Sequence, residues 1–206
     1  QTKNPIIVDA DTGFGGLANV YKTVKDLEQV GASAVILEDQ IFPKRCALTK
    51  KVKLLDLKKS EKRIKTAIKA SKENNNILIF ARTDALSVGS IKESIKRAKM
   101  FKKLGAHAVF ITGINTLREI KLIKQNLKRI PLIINITQDI KFNISDIKKS
   151  DFKFILYSQQ LLNSYIDTVN ATLKLIINNK NPKFKNKASD TLSLLNFKKY
   201  LSIENN

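Results

Sequence analysis

Apolar residues in this chain gather into six short runs of strand length, at residues 5–8, 34–37, 77–81, 108–111, 132–136 and 154–157. Few polar residues interrupt the runs, as expected of strands covered on both faces. Between most of them the apolar positions shift to a spacing of three or four, as in Val20, Val24, Leu27 and Val30, or Ile91, Ile95, Ala98 and Phe101. That spacing predicts amphipathic helices. Strands alternating with helices imply βαβ units and a parallel sheet.

An internal repeat strengthens the pattern. Gly31-Ala32-Ser33-Ala34-Val35-Ile36-Leu37 and Gly105-Ala106-His107-Ala108-Val109-Phe110-Ile111 both read as a glycine closing a helix, small residues, then a buried strand. Each glycine is expected in a left-handed C-cap. Ser90-Ile91-Lys92-Glu93 and Thr116-Leu117-Arg118-Glu119 read as capping boxes that open the following helices. From about residue 159 the pattern is helical through 177, breaks at 178–182, crosses a basic stretch and resumes over 189–201.

The predicted fold is α/β: a (β/α)8 TIM-type barrel with about six of its eight strands present, plus C-terminal helices. Residues 1–178 are expected to form the partial barrel catalytic domain, and 179–206 a linker and a C-terminal helix that packs on another element or subunit. A whole barrel of this kind takes about 250 residues. Two βα units are therefore expected ahead of Gln1, where the chain enters a strand without an initiating methionine.

Composition narrows the function classes. Nothing approaches an unbroken apolar run of about 18 residues, so no membrane span is expected. One cysteine excludes an intrachain disulfide framework and fits a reducing compartment, the cytoplasm, or an organelle matrix if a targeting segment precedes the chain. The formal charge of +20 invites a nucleic-acid reading. Its distribution opposes one, because only six of the 38 basic residues are arginine and the lysines spread over nearly every predicted helix. What remains is a general attraction for small anionic substrates.

In a parallel barrel the loops after the strands build the active site. Asp9 and Asp11 end the first strand, Glu38 and Asp39 the second, Arg82 and Asp84 the third, Thr112 the fourth, Asn135 and Thr137 the fifth, and Tyr157 and Ser158 the sixth. The carboxylates, with nitrogen and sulfur donors nearly absent, suit Mg²⁺ or Mn²⁺ better than zinc. On residue type alone Asp9 and Asp11 also suit a helix N-cap. Arg82, closing an apolar run, is hard to explain by structure alone. His107 precedes its strand and is expected at the opposite end of the barrel in a structural role. Asp84 is expected to be a loop or cap residue, and Lys50-Lys51 with Lys58-Lys59 to be solvated charges on a long loop suited to act as a lid.

The run from Pro5 to Cys46, with Asp9-Ala10-Asp11-Thr12-Gly13-Phe14-Gly15, Glu38-Asp39-Gln40 and Lys44-Arg45-Cys46, resembles the isocitrate lyase and phosphoenolpyruvate mutase superfamily. Phe80-Ala81-Arg82-Thr83-Asp84-Ala85 and Asn135-Ile136-Thr137 extend the likeness, which is nearest to short-chain methylisocitrate lyase-like members. The resemblance implies a Mg²⁺-dependent carbon-carbon lyase that cleaves a methylisocitrate-like 2-hydroxy or 2-oxo acid through an enolate. It makes Asp9, Asp11 and Glu38 metal ligands, directly or through water. Arg82 becomes a carboxylate clamp and Cys46 a proton donor whose pKa Lys44 and Arg45 lower. Gly13, Gly15 and Gly16 let backbone approach the ligand, and Asn135 and Thr137 bind substrate. A homotetramer that exchanges C-terminal helices is implied as well.

Three positions depart from that pattern: Ala47-Leu48 stands where the lyases usually continue with Gly-His, and Thr112 where they tend to carry a glutamate. They favour as an alternative an oxaloacetate or related 2-oxo acid decarboxylase; a phosphonate-type enzyme of the same superfamily is a further alternative. A non-catalytic fragment or basic binding protein is the reading from another class.

Overall fold

The computed structural model describes residues 3–46, 52–74, 76–137, 140–195 and 203. Two compact units divide the chain, Gln1–Ser158 and Gln159–Asn206. The first alternates strands and helices throughout: β1 (Ile7–Asp9), α1 (Leu17–Gln29), β2 (Ala34–Glu38), α2 (Leu57–Lys72), β3 (Leu78–Thr83), α3 (Ile91–Leu104), β4 (Ala108–Ile111), α4 (Leu117–Asn126), β5 (Leu132–Ile136), α5 (Ile144–Lys149) and β6 (Phe154–Tyr157). All six strands are parallel and lie side by side in sequence order. Among the described residues β1 and β6 each have one neighbour, so the sheet is an open part-barrel with two edges.

Both faces of the sheet are covered along β2 to β5, as the uninterrupted apolar runs require, while the edge strands β1 and β6 stay partly exposed. The larger core lies between the sheet and the helices. There Val35, Leu37, Ile79, Ala81, Val109 and Ile111 meet Val20 and Val24 of α1, Ile64 and Ile68 of α2, Phe101 of α3 and Ile123 of α4. The alternate strand positions Ala34, Ile36, Phe80, Ala108, Phe110 and Ile133 form a second, smaller core on the inner face.

The two glycines of the repeat take the left-handed backbone expected of them, with φ of 85° at Gly31 and 104° at Gly105. Thr116 and Glu119 form a full capping box: Thr116 Oγ1 accepts the Glu119 N–H and Glu119 Oε2 accepts the Thr116 N–H. Ser90 Oγ likewise accepts the Glu93 N–H, but the Glu93 carboxylate turns instead to Arg97 Nε at 2.9 Å. Lys58 and Lys59, expected on a loop, lie in the first turn of α2, because Asp56 caps that helix by accepting the Lys59 N–H. Lys50 and Lys51, and with them the expected lid, lie outside the described residues.

The second unit holds α6 (Gln160–Ile177) and α7 (Ala188–Leu194). No side chain of α6 is buried, and Leu161, Tyr165 and Ile177 are among its exposed apolar residues. Part of the helix expected over 189–201 lies outside the described residues. Among those that are described, no helix is long and apolar enough to cross a membrane.

Candidate active site

The period of two along each strand decides which side chains reach the mouth of the part-barrel. Ala34 and Ile36 face inward on β2, so Glu38 follows them; Phe80 faces inward on β3, so Arg82 does; Phe110 faces inward on β4, so Thr112 does. Parallel register places Glu38 beside Arg82 and Arg82 beside Phe110. The Arg82 guanidinium lies 5.4 Å from the centre of the Phe110 ring.

The loop after β1 brings two further carboxylates to the same edge. Asp11 has a φ of 51°, a left-handed conformation that aspartate tolerates better than most residues. Its N–H donates to Asp9 Oδ1 at 3.0 Å, and its carbonyl accepts the Glu38 N–H at 2.8 Å. Gly13, with φ of 82°, has no room for a side chain: a Cβ there would lie 2.6 Å from Val20 Cγ2. Gly15 would meet the Asn19 side chain at 2.8 Å in the same way, while Gly16 is the N-cap of α1 and donates its N–H to Asn19 Oδ1. Asp9 and Asp11 therefore cap no helix.

Arg82 and Lys44 supply the positive charge among these acids. Arg82 lies 3.5 Å from Asp9, 3.3 Å from Glu38 and 2.9 Å from Asp84. Lys44 Nζ pairs with Asp11 and lies 3.7 Å from Glu38. Burial pulls the Lys44 ammonium down, but Asp11 and Glu38 outweigh it and hold its pKa above the usual lysine value. Glu38 is fully buried, and neither of its carboxylate oxygens has a hydrogen-bond partner. Burial pushes its pKa up to about 7, with Asp84 and Asp9 adding to the rise and Arg82 and Lys44 opposing it.

Three residues matter more here than their position in the chain suggested. Asp84, expected to be a loop or cap residue, is fully buried, and its carboxylate takes donors from three residues. Arg82 Nε and Nη2 donate to it at 2.9 and 3.2 Å, and Gln40 Nε2 and Thr112 Oγ1 donate as well. Arg63, on α2, donates to the carbonyls of Glu38 and Gln40 at 2.9 and 2.6 Å. Arg97, on α3, pairs with buried Asp39 at 3.0 Å and donates to the Leu55 carbonyl at 2.8 Å. These arginines hold the chain that leaves β2.

Other candidates stand apart. Asn135 and Thr137 are half-buried at the same sheet edge on β5 and do not join this network. Cys46 is exposed, two residues beyond Lys44. His107 sits at the opposite edge, ahead of β4, where its Nδ1 accepts the Ile79 N–H at 3.0 Å. Ala47 and Leu48 lie outside the described residues.

Hard oxygen donors and a buried carboxylate without a hydrogen bond fit a divalent cation such as Mg²⁺, which binds through one or two carboxylates and keeps several waters. Among the described residues, though, no three acidic, histidine or cysteine groups converge on one point. Asp9, Asp11 and Glu38 share one edge and engage Arg82 and Lys44 there. Where a cation binds, Glu38 with Asp9 and Asp11 would hold it.

Residues 1–177 match the family model described as phosphoenolpyruvate phosphomutase. The chain belongs to that family. The 2-methylisocitrate lyase of Aeropyrum pernix is 33% identical over 156 residues, 74% of this chain and 49% of the relative. The oxaloacetate decarboxylase of Rhodopseudomonas palustris is 35% identical over 112 residues, 54% of this chain and 38% of the relative. The chain spans about half the length, or less, of these curated relatives. A phosphonopyruvate hydrolase solved with oxalate and Mg²⁺ superposes with a TM-score of 0.84 at 24% identity, over 98% of this chain and 72% of that one, which shows the shared barrel fold.

Proposed function

We propose that this family member acts as a Mg²⁺-dependent carbon-carbon lyase on a methylisocitrate-like 2-hydroxy or 2-oxo acid. The observation that carries the reading is Glu38, a buried carboxylate without a hydrogen-bond partner at the mouth of the part-barrel, 3.3 Å from Arg82. Such a group is costly unless a cation or a proton completes it. Bound at Asp9, Asp11 and Glu38, Mg²⁺ would supply Lewis-acid stabilisation of the negative charge that develops beside the substrate carboxylate.

The chain's own residues do the rest. Arg82, its fork fixed by Asp84, presents a planar cation to a substrate carboxylate. Lys44 adds positive charge on the open side, where Asp11 is partly exposed. As the hydroxyl proton passes to solvent water and the carbonyl of one product forms, the electron pair of the breaking carbon-carbon bond passes to the departing carbon; Cys46 Sγ delivers a proton to it, and the exposed thiolate recovers one from solvent. The relatedness to 2-methylisocitrate lyases supports this substrate class. The apolar side chains exposed on α6 suit a homo-oligomer, proposed here as a tetramer.

A second reading is decarboxylation of oxaloacetate. It is favoured by Thr112, whose hydroxyl is committed to Asp84 and the Thr83 carbonyl, and by the likeness to an oxaloacetate decarboxylase. Pyruvate release separates the two. Mg²⁺-dependent pyruvate from 2-methylisocitrate supports the first, release from oxaloacetate alone supports the second, and release from neither overturns both.

A further inference from the structure

Gln40 follows the paired acids Glu38 and Asp39, is 1% exposed and is used in neither reading above. Its backbone is pinned from three sides. Arg63 holds its carbonyl, it bridges Leu54 in antiparallel pairing, and the flanking Asp39 carbonyl and Ile41 N–H bond to Leu55 and Lys53 at 2.9 and 2.8 Å. A side chain on so fixed a backbone reaches a fixed place. Its two amide atoms face different partners: Nε2 donates to Asp84 Oδ2, while Oε1 accepts the backbone N–H of Arg45 at 3.0 Å. Asp84 is the carboxylate that grips the Arg82 fork, and Arg45 lies between Lys44 and Cys46. One buried amide therefore joins the cationic clamp to the loop that bears the lysine and the thiol.

We infer that Gln40 is a positioning residue that couples the Lys44–Cys46 loop to the Asp84–Arg82 pair, so that loop placement and clamp orientation are set together. The inference rests on the proposed lyase reading for its purpose, and on the hydrogen bonds alone for its existence. A carboxamide suits the place because it donates at one atom and accepts at the other. A carboxylate in the same position would present a second acceptor to Asp84, and an aliphatic side chain would leave Asp84 short of a donor and the Arg45 N–H short of an acceptor.

Cys46, the only cysteine and exposed, reports loop placement without reference to turnover. The test is the rate of Cys46 alkylation by iodoacetamide in the full chain, natural and bearing Gln40→Leu, Asp84→Asn or both, with each fold checked by circular dichroism. Gln40→Leu is expected to change the rate about fivefold, the factor set by one net hydrogen bond of about 1 kcal/mol. Asp84→Asn, although it follows a different strand, β3, is expected to change it by a similar factor in the natural background and hardly at all beside Gln40→Leu. If Gln40→Leu fails to fold, Gln40→Asn, too short to span both partners, takes its place, and the Asp84→Asn arm is read on its own. An unchanged rate in folded Asp84→Asn, or an equal change with and without Gln40, overturns the coupling. Absence of turnover on every substrate would overturn the lyase reading and leave these rates as they are.

Discussion

Replacing Glu38 by glutamine should stabilise the metal-free protein above neutral pH and leave it unchanged in acid. Glu38 is fully buried with neither carboxylate oxygen hydrogen-bonded, and its pKa is raised from the usual 4.5 to about 7. Below pH 4.5 the carboxyl is protonated in the folded and the unfolded chain, and nothing is lost. Between 4.5 and 7 the folded chain holds a proton that the unfolded chain has released, so stability falls as pH rises, and the fall is complete above 7. At about 1.36 kcal/mol for each pH unit the loss is about 3 kcal/mol. The Glu38→Gln side chain cannot ionise and escapes it. Urea unfolding in EDTA, followed by circular dichroism at pH 4.5 and pH 8, should show no gap between the two proteins at the lower pH and a gap of up to about 3 kcal/mol at the higher one. Mg²⁺ should narrow the gap at pH 8 by stabilising only the natural protein. A variant no more stable at pH 8, or a gap that persists at pH 4.5, would refute the reasoning.

Arg82→Ala removes the counter-charge of two fully buried carboxylates, Glu38 and Asp84, and should destabilise the fold by about 3–5 kcal/mol in urea titration; a loss well below that would mean that Gln40 and Thr112 satisfy Asp84 without it. Gly13→Ala meets both a left-handed φ of 82° and Val20 Cγ2 at 2.6 Å, and should cost about 2 kcal/mol, lowering Tm by several degrees; an unchanged Tm would show that the loop after β1 can shift away from α1.

The inner strands β2 to β5 were legible because each is covered on both faces, which leaves a run of apolar residues with little ambiguity; the edge strands β1 and β6 are apolar although partly exposed. β4, β5 and β6 match their runs residue for residue, and β1 to β3 differ at their ends by one or two residues, where polar residues continue the ladder. Glu38, Arg82 and Thr83 are such residues: they keep strand geometry while their side chains leave the apolar pattern. The site was legible as far as its charged strand ends, Asp9, Asp11, Glu38 and Arg82. Asp84 was not, because an aspartate just past a strand looks like any loop residue until Gln40 and Thr112, distant in the chain, join Arg82 as its donors. Arg63 and Arg97 did carry a signal. Arg63 precedes Ile64 and lies four residues before Ala67, and Arg97 precedes Ala98 and lies four residues before Phe101, so both fall on the buried stripe of their helices. An arginine in that phase needs a buried acceptor. Lys58 and Lys59 misled in the opposite sense, because α2 is amphipathic with many lysines on its outer face and its cap, Asp56, hides among charged neighbours.

The account turns on whether the acids that end β1 and β2 hold a divalent cation. Electron paramagnetic resonance of Mn²⁺ titrated into the full chain tests this without a substrate. The account predicts one bound Mn²⁺ per chain, displaced by Mg²⁺ and lost in Asp9→Asn, Asp11→Asn and Glu38→Gln. Mn²⁺ that stays free in the presence of the folded natural protein, or that binds the three variants equally well, would contradict it.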